Sequence, residues 1–311
     1  MTNSFRDPKV LLPFLLITLI WSSTWIVIKD QLGGGEAGAV PPAWSVSYRF
    51  FIAGAAMMAI AGLKKESLKL VSGGHSLALL LGTLQFVVNY NFVYASELYI
   101  TSGLAAVVFA LLVVPNALLA WALFGERVTA RFAWGSALAM TGVGLLFLQE
   151  MRHAAGPAGA VMTGLGLVLI AVLAASVSNV MQIMPAIRAR PVAAMLGWAM
   201  LYGASLNALF ALAFVGPPAI ESRPGYWFGL LYLALIASAL AFWLYYEVIR
   251  RIGPAKAAYS SVLIPIIAMA ISTFVEGYRW SALAIAGGVL AIAGLVVALK
   301  AGRVPPVPPS D

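Results

Sequence analysis

The sequence has no cysteine, two histidines and few charged residues: Asp, Glu, Lys and Arg together make up 10% of the chain, against roughly 25% in soluble domains. Without cysteine the protein can form no disulfide, no thiolate nucleophile and no cysteine-ligated metal site. The histidines, His75 and His153, stand alone in the sequence without the spacing of metal ligands. We therefore expect neither a metal nor a cofactor.

Motifs for catalysis and nucleotide binding are also missing. Residues 33–35 are three consecutive glycines, but no P-loop lysine follows them, so they indicate a flexible linker and not an ATP site. No base is placed in the sequence to activate a serine nucleophile. A membrane-embedded enzyme or receptor would need a catalytic cluster at membrane depth or a signalling domain, and the sequence shows neither. The protein is therefore not expected to be an enzyme.

Hydrophobic residues are abundant, at 62% of the chain with a mean hydropathy of +0.95. A helix of about 20 apolar residues crosses the ~30 Å hydrocarbon core of a bilayer with its own backbone hydrogen bonds satisfied. Apolar runs of this length recur along the chain without the strict alternation of strands. They predict an all-α membrane protein with ten transmembrane helices, at residues 9–31, 43–63, 75–96, 101–124, 131–149, 160–184, 192–215, 226–250, 255–276 and 281–300.

The second half of the chain repeats the first at an offset of about 150 positions. This offset pairs Pro115 with Pro265 and Glu126 with Glu276, each pair within or beside a long apolar run. We therefore expect two five-helix repeats, at residues 1–150 and 151–300. The proline-rich segment 301–311 is expected to be a disordered cytoplasmic tail.

The distribution of Lys and Arg predicts the orientation of the repeats. Fourteen of the nineteen basic residues fall in or beside loops on one side of the predicted membrane, four fall on the other, and Arg49 lies within the second span. This bias places both termini in the cytoplasm and explains the net charge of +8 without nucleic acid as a partner. Because each repeat has an odd number of spans, the second repeat must be inverted, which is typical of secondary transporters.

The first copy also resembles a known family. Pro115, the Gly125-Glu126-Arg127 turn and the glycine-studded helix after it are similar to the fourth and fifth helices of EamA-type members of the drug/metabolite transporter superfamily, and the WSSTW run at 21–25 resembles their first helix. The resemblance implies a bacterial inner-membrane exporter of small metabolites, with a cavity lined mainly by helices 1, 3, 4, 6, 8 and 9. Within the superfamily the chain is most similar to exporters of aromatic and other amino acids.

Polar and aromatic residues at membrane depth are candidates for substrate binding, because each one is costly there without a partner or a function. Amides, hydroxyls and rings together suit a zwitterion with a variable side chain. The same residue types also join helices to one another or anchor them at the interface, and this alternative stays open. The candidates are Trp21, Trp25, Gln85, Asn89, Tyr90, Ser178, Asn179, Gln182, Trp243, Tyr246, Tyr259 and Ser260.

The acidic residues favour a facilitator over a proton-coupled carrier. A proton-coupled antiporter needs an acid buried in the membrane, whereas Glu97, Glu276 and the other acids fall at or near predicted span ends. Glu247 lies deepest, with Arg250 and Arg251 one turn further on as its expected partners. The alternative is a proton-coupled exporter of drugs or nucleobase-like solutes. Arg49 is expected to snorkel or to pair, and not to bind substrate.

Prolines and glycines predict how the helices move and pack. Pro115 and Pro265 should each kink their helix, either as hinges that separate a gating half-helix from a fixed one or as static bends. Ten spans suffice to enclose a cavity, so we expect a monomer. Small residues let membrane helices approach closely, and we expect such contacts at Gly103, Gly142, Gly144, Gly287, Gly288 and Gly294.

Overall fold

The computed structural model describes residues 7–33, 40–71, 73–125, 128–153, 158–252 and 260–300. Within these ranges the chain is helical throughout, with no strand. Eight of the described helices are long and apolar enough to cross a membrane, and two shorter apolar helices complete a set of ten. The expected ten-helix fold is confirmed. The tail at 301–311 lies outside the described residues.

The ten helices are numbered α1 to α10 along the chain, and a short helical turn at Pro185–Arg188 joins α6 to α7. Their bounds lie within four residues of the predicted ones, with the largest differences at the ends of α5, four residues later, and α6, three residues earlier; α9 is described only from Ser260. The helices are α1 Pro8–Gln31, α2 Pro42–Leu63, α3 Gly74–Ser96, α4 Ser102–Phe124, α5 Ala130–His153, α6 Ala158–Met181, α7 Val192–Phe214, α8 from Pro224–Leu231 through Ala241–Ile252, α9 Ser260–Val275 and α10 Ala282–Lys300.

Local sequence signals set the helix ends. The Asp7 side chain accepts a hydrogen bond from the Lys9 backbone N–H at 2.9 Å and so caps α1. Pro42 and Pro224 begin α2 and α8, where a missing backbone N–H costs nothing. At the other end of a helix, Gly125 terminates α4 with a φ of 68°, a left-handed conformation that glycine adopts without a steric penalty.

The third helix of each repeat contains a π-helical segment. These segments are Thr83–Asn89 in α3 and Tyr232–Leu240 in α8, at nearly the same offset that relates the two halves of the sequence. A π-helical segment weakens the regular backbone ladder and often marks a functional site. A side chain of another helix hydrogen-bonds a backbone carbonyl in each segment: Asn207 donates to Phe86 at 2.9 Å, and Trp21 donates to Ala237 at 3.2 Å.

The two prolines differ in their local structure. Ahead of Pro115, α4 tightens into a 3-10 turn at Ala110–Leu112, the region whose backbone hydrogen bonds the proline disturbs. Pro265 lies inside a continuous α-helix over the described residues Ser260–Val275, without a 3-10 turn ahead of it in that range. Whether either position acts as a hinge stays a prediction.

Two helix pairs flank the centre of the molecule, α2 with α7 and α5 with α10. Glycine backbones touch in the second pair: a Cβ added at Gly142 would lie 2.2 Å from the Ala291 nitrogen, and one added at Gly294 would lie 2.2 Å from the Ala139 nitrogen. Gly103 and Gly287 also make close contacts, as predicted. The prediction is wrong for Gly144, which has open space around it, and for Gly288, whose nearest neighbour is a Trp280 ring atom at 3.9 Å.

The remaining six helices, α1, α3, α4, α6, α8 and α9, surround the centre. Consecutive spans joined by short connections alternate in direction, so each helix begins at the face where its predecessor ends. We call the face at which α1 begins the N-face and the other the opposite face. With five helices in each repeat, the second repeat runs through the membrane in the reverse sense to the first.

Candidate functional site

A cavity lies between the six central helices, with about 950 Å³ of space free of protein atoms, part of it open to solvent. Its wall combines residues of α1, α3, α4, α6, α8 and α9, the six helices that the family resemblance implied. Arg49 is the one contribution from α2. The cavity therefore sits where the two repeats meet, the position that substrate takes in transporters built from inverted repeats.

Aromatic rings form much of the wall. Trp21 of α1 meets Phe242 and Tyr245 of α8 edge to face, with ring centroids 5.4 and 4.9 Å apart. Further along α1, Trp25 meets Phe109 of α4 in the same manner at 5.5 Å. Rings held in this way present both faces and edges to the space between them, so the wall suits an apolar or aromatic group.

Arg49 is fully buried at 0% exposure, although it stands on an otherwise apolar helix. Its Nε donates to the Ser238 hydroxyl of α8 at 2.9 Å, and its Nη2 donates to the Tyr90 hydroxyl of α3 at 3.5 Å. The guanidinium lies over the Tyr90 ring at 4.5 Å and near the Phe50 ring at 5.4 Å. Its Nη1 has no hydrogen-bond partner among the described residues.

Three amide side chains around the cavity leave an acceptor free. The side-chain oxygens of Gln85, Asn89 and Asn116 are buried and have no hydrogen-bond donor among the described residues. Gln85 and Asn89 belong to the π-helical segment of α3, and Asn116 follows Pro115 in α4. Buried acceptors without a donor are costly, so this part of the cavity suits a ligand with hydrogen-bond donors such as an ammonium group.

The structure brings together six of the residues that the sequence proposed as a site. Trp21, Trp25, Gln85, Asn89, Tyr90 and Asn179 all line the cavity. Tyr259 and the side chain of Ser260 lie outside the described residues. The other four predicted residues are described but are not part of the cavity wall.

These four residues have other surroundings. Ser178 is fully buried and Tyr246 nearly so, and the two side chains lie near enough to interact with each other. Trp243 lies under the Lys64 ammonium group, which is 4.5 Å from its ring. Gln182 falls just past the end of α6, because that helix is shorter than predicted.

Several cavity residues escaped the sequence analysis. Arg49 was set aside as a snorkelling or paired residue, and Asn116, Phe109, Phe242 and Tyr245 were not considered. A lone arginine within an apolar span was the one available signal, because a charge at membrane depth usually marks a function. The aromatic residues gave no signal, since such rings are common in any membrane helix.

At the opposite face, α4 and α9 are tied together by Glu276. Its carboxylate accepts hydrogen bonds from the Ser102 backbone N–H at 3.2 Å, from the Ser102 hydroxyl, and from the Ser272 hydroxyl at 2.6 Å. Next to this contact, a Cβ added at Gly103 would lie 2.7 Å from the Met269 sulfur. We call the contact of Ser102, Gly103, Met269, Ser272 and Glu276 the outer seal.

A buried acid adjoins the outer seal. Glu97, just past the end of α3, is 0% exposed, and neither carboxylate oxygen has a hydrogen-bond partner among the described residues. Burial raises the pKa of the Glu97 carboxyl well above its ordinary value; Lys29 and Arg49 oppose that rise, and Glu276 adds to it. The Lys29 ammonium group donates to the backbone carbonyls of Glu97 and Ile100. Glu97 thus lies at a span end, as the sequence predicted, and is nevertheless buried there.

The exposure of the cavity wall falls toward the outer seal. Asn179, two residues from the end of α6 at the N-face, is half-buried, whereas Ala106 and Val93, near the opposite face, are 1% and 4% exposed. The cavity is therefore closed at the opposite face. Within the described residues, no group of three or more His, Asp or Glu side chains is placed to hold a metal ion.

Comparison with known proteins places these features in a family. The model of the EamA-like transporter family matches residues 9–148 and again 162–300, one match in each half of the chain. A solved crystal structure superposes with a TM-score of 0.68 over 94% of this chain and 96% of its own, at 20% sequence identity. This likeness extends to the fold alone.

Curated relatives point the same way. The chain is 29% identical over 296 residues to the uncharacterized inner membrane transporter YedA of Escherichia coli K12, covering 90% of this chain and 88% of YedA. It is 21% identical to the uncharacterized transporter YoaV of Bacillus subtilis, covering 84% of this chain and 86% of YoaV. It is 24% identical to the protein PagO of Salmonella typhimurium, over 47% of this chain and 46% of PagO.

Proposed function

The chain belongs to the EamA-like transporter family, and from that premise we propose that it exports amino acids, aromatic and other neutral ones, or similar small metabolites. Export proceeds by alternating access across a bacterial inner membrane, with both termini in the cytoplasm. The protein works as a facilitator that moves substrate down its own gradient. On this orientation the N-face is the cytoplasmic face, and the outer seal closes the cavity to the periplasm.

The observation that carries the proposal is the mixed character of the cavity. Two aromatic contacts, Trp21 with Tyr245 and Trp25 with Phe109, supply apolar walls of the kind that a neutral or aromatic side chain needs. Free amide oxygens in the same cavity suit an ammonium group. A neutral amino acid has both kinds of group.

The geometry also supports alternating access. The cavity is closed at one face by a small set of contacts between α4 of the first repeat and α9 of the second. Inverted repeats can exchange conformations, so that the contact at one face opens while its counterpart at the other face forms. The half-buried residues toward the N-face are consistent with a cavity that receives substrate from the cytoplasm.

One observation favours the second candidate, a proton-coupled exporter. Glu97 is buried without a hydrogen-bond partner for its carboxylate, which is a setting in which an acid can exchange a proton during a conformational change. It lies beside the outer seal and outside the cavity wall, so a proton there need not compete with substrate. We retain the facilitator and treat coupling through Glu97 as the alternative.

The test is counterflow in proteoliposomes. Vesicles loaded with an unlabelled amino acid should accumulate labelled phenylalanine, and a panel of unlabelled amino acids, nucleobases and cationic drugs should compete according to the true substrate class. Asn89→Leu, in the cavity wall, should lower counterflow, whereas Trp243→Phe, outside the wall, should leave it near wild type. Absence of counterflow for every amino acid, with competition by drugs or nucleobases alone, would contradict the proposed substrate class.

An imposed pH gradient separates the two modes of transport. A facilitator shows the same final distribution of substrate with and without the gradient, because protons do no work on the substrate. If the gradient drives accumulation, and either Glu97→Gln or Glu247→Gln abolishes that drive, the transporter is proton-coupled and the facilitator proposal is wrong.

A further inference from the structure

We propose that Arg49 binds the carboxylate of the substrate, so that the cavity selects solutes that carry a carboxylate and rejects amines that lack one. The proposal rests on the proposed function, since it takes the central cavity as the substrate site. It goes further because it names the residue that binds the carboxylate end of the substrate and because it selects among the substrate classes.

The first argument is the charge of Arg49. A guanidinium at 0% exposure within a membrane span is costly unless an anion compensates it. No carboxylate lies within ion-pair distance of Arg49 in the part of the chain that the structure describes. Glu97 interacts with it only at longer range, and Lys29 affects that acid more strongly than Arg49 does. Arg49 thus borders the cavity without an anion in direct contact among the described residues.

The second argument is the position of the guanidinium. Ser238 and Tyr90 bind Nε and Nη2, and the Tyr90 ring lies against the flat face of the group. These contacts come from two helices other than that of Arg49, and Ser238 belongs to the π-helical segment of α8. The Tyr94 side chain of α3 also lies near the guanidinium, and Nη1 makes no close hydrogen bond to a described residue. A planar donor fixed in this way matches the geometry of a carboxylate better than a lysine ammonium would.

The third argument is the complementary set of acceptors. The same cavity contains the free amide oxygens of Gln85, Asn89 and Asn116, which can accept hydrogen bonds from an ammonium group. A cavity with one cationic donor and several neutral acceptors is complementary to a zwitterion. A cationic drug would meet a buried positive charge with no local anion to offset it, and binding would be opposed.

The experiment measures ligand binding to purified wild-type protein in detergent, through thermal stabilisation and through competition with labelled phenylalanine. The ligands are phenylalanine, phenylalaninamide, phenethylamine and 3-phenylpropionate, which share a ring and differ in charge. Wild-type protein should bind the carboxylates at least about tenfold more tightly than the amide and the amine, the factor expected for a hydrogen bond to a charged group. This comparison needs no mutation, so it does not depend on a variant that folds.

The variants identify the residue responsible. Arg49→Gln should reduce the preference for carboxylates by about 10- to 100-fold, and Arg49→Lys should restore part of it, because it keeps the charge without the fixed planar donor. Arg188→Gln removes the same charge from an exposed turn and should change nothing. A carboxylate preference that survives Arg49→Gln in folded protein, or a wild-type protein that binds phenethylamine as well as phenylalanine, would overturn the proposal.

The ligand set distinguishes failure of this inference from failure of the proposed function. If 3-phenylpropionate binds in an Arg49-dependent manner and amino acids do not, the assignment of Arg49 stands and the amino acid proposal fails. If amino acids bind but their amides bind equally well, the proposed function stands and Arg49 has a structural role only, with Glu97 as its distant counter-charge.

Discussion

Replacing Gly142 by alanine should destabilise the α5–α10 pair, because the backbones of the two helices meet at this residue. The added Cβ would lie 2.2 Å from the Ala291 nitrogen and 2.5 Å from the Gly287 oxygen. Ordinary contacts of a Cβ begin at 3.4 Å, so the helices would have to separate by about 1.2 Å at this point. Backbone atoms are the obstacle here, and they cannot rotate away as a side chain could.

The expected cost follows from this overlap. Extra methyl groups forced into a packed contact typically cost about 1–3 kcal/mol. Alanine regains up to about 1 kcal/mol in helix propensity, so the net loss for Gly142→Ala should be about 1–2 kcal/mol. In a thermal unfolding assay of the detergent-solubilised protein, this corresponds to a fall of roughly 2–6 °C in the midpoint.

Gly144 supplies a matched control on the same helix, two residues away. A Cβ added there meets no atom within 4 Å, so Gly144→Ala should cause no loss of stability and should raise the unfolding free energy by up to about 1 kcal/mol through helix propensity. Because α5 and α10 lie outside the cavity, folded Gly142→Ala protein should keep the wild-type order of competitors in counterflow. Equal losses for both variants, or no loss for Gly142→Ala, would refute the argument from backbone contact.

Three further predictions concern the seal, the buried acid and the prolines. Glu276→Gln should weaken the outer seal, because an amide replaces a carboxylate that accepts three hydrogen bonds. The rate at which a thiol reagent added at the opposite face labels a cysteine introduced at Ala106 should then rise several-fold. An unchanged labelling rate would contradict this. Burial raises the pKa of Glu97, so the sealed arrangement should be most stable at low pH and should lose stability as the pH rises through that pKa. The loss should be about 1.4 kcal/mol for each unit by which the pKa differs between the sealed and open states. The same labelling assay should show this pH dependence in wild type and not in Glu97→Gln. If the prolines are hinges, Pro115→Ala and Pro265→Ala should shift the balance between states open to the two faces in opposite directions, whereas equal and small effects would leave static bends.

Hydropathy predicted the fold well, because the cost of exposing a backbone polar group to lipid leaves a long apolar run no other choice than a helix. Ten spans, their approximate ends and the inverted arrangement of the repeats all follow from that constraint and from charge counting. The glycine contacts were only partly predictable. Gly142 and Gly144 lie two positions apart in the same helix, and the face of the helix that meets α10 decides which of them is close-packed.

The candidate site was predictable only where polarity and membrane depth coincided. Gln85 and Asn89 are amides in the middle of an apolar span, and the structure places both in the cavity wall. Ser178 and Tyr246 have the same character but lie outside that wall, because the rotation of α6 and α8 about their axes is set by packing and not by local sequence. The π-helical segments, which influence that rotation, have no sequence signal of their own.

Charged residues were the least predictable, because their cost depends on partners that are distant in sequence. Arg49 finds Ser238 at a separation of 189 positions, and Glu97 is buried near Lys29 and Glu276, which are also distant in sequence. The sequence places Glu97 at a span end, where contact with water is expected. The structure shows that the end of a span can be deeply buried where two repeats close over it.

The central claim is that one cavity is reached from the two faces of the membrane in turn. The natural absence of cysteine allows a direct measurement, with a single cysteine in place of Ala110 in the cavity wall and a membrane-impermeant thiol reagent applied to each face of oriented vesicles. The account predicts labelling from the N-face in the absence of substrate, and labelling from the opposite face that appears when phenylalanine is added. Labelling from one face alone, whatever the substrate, would contradict alternating access through this cavity.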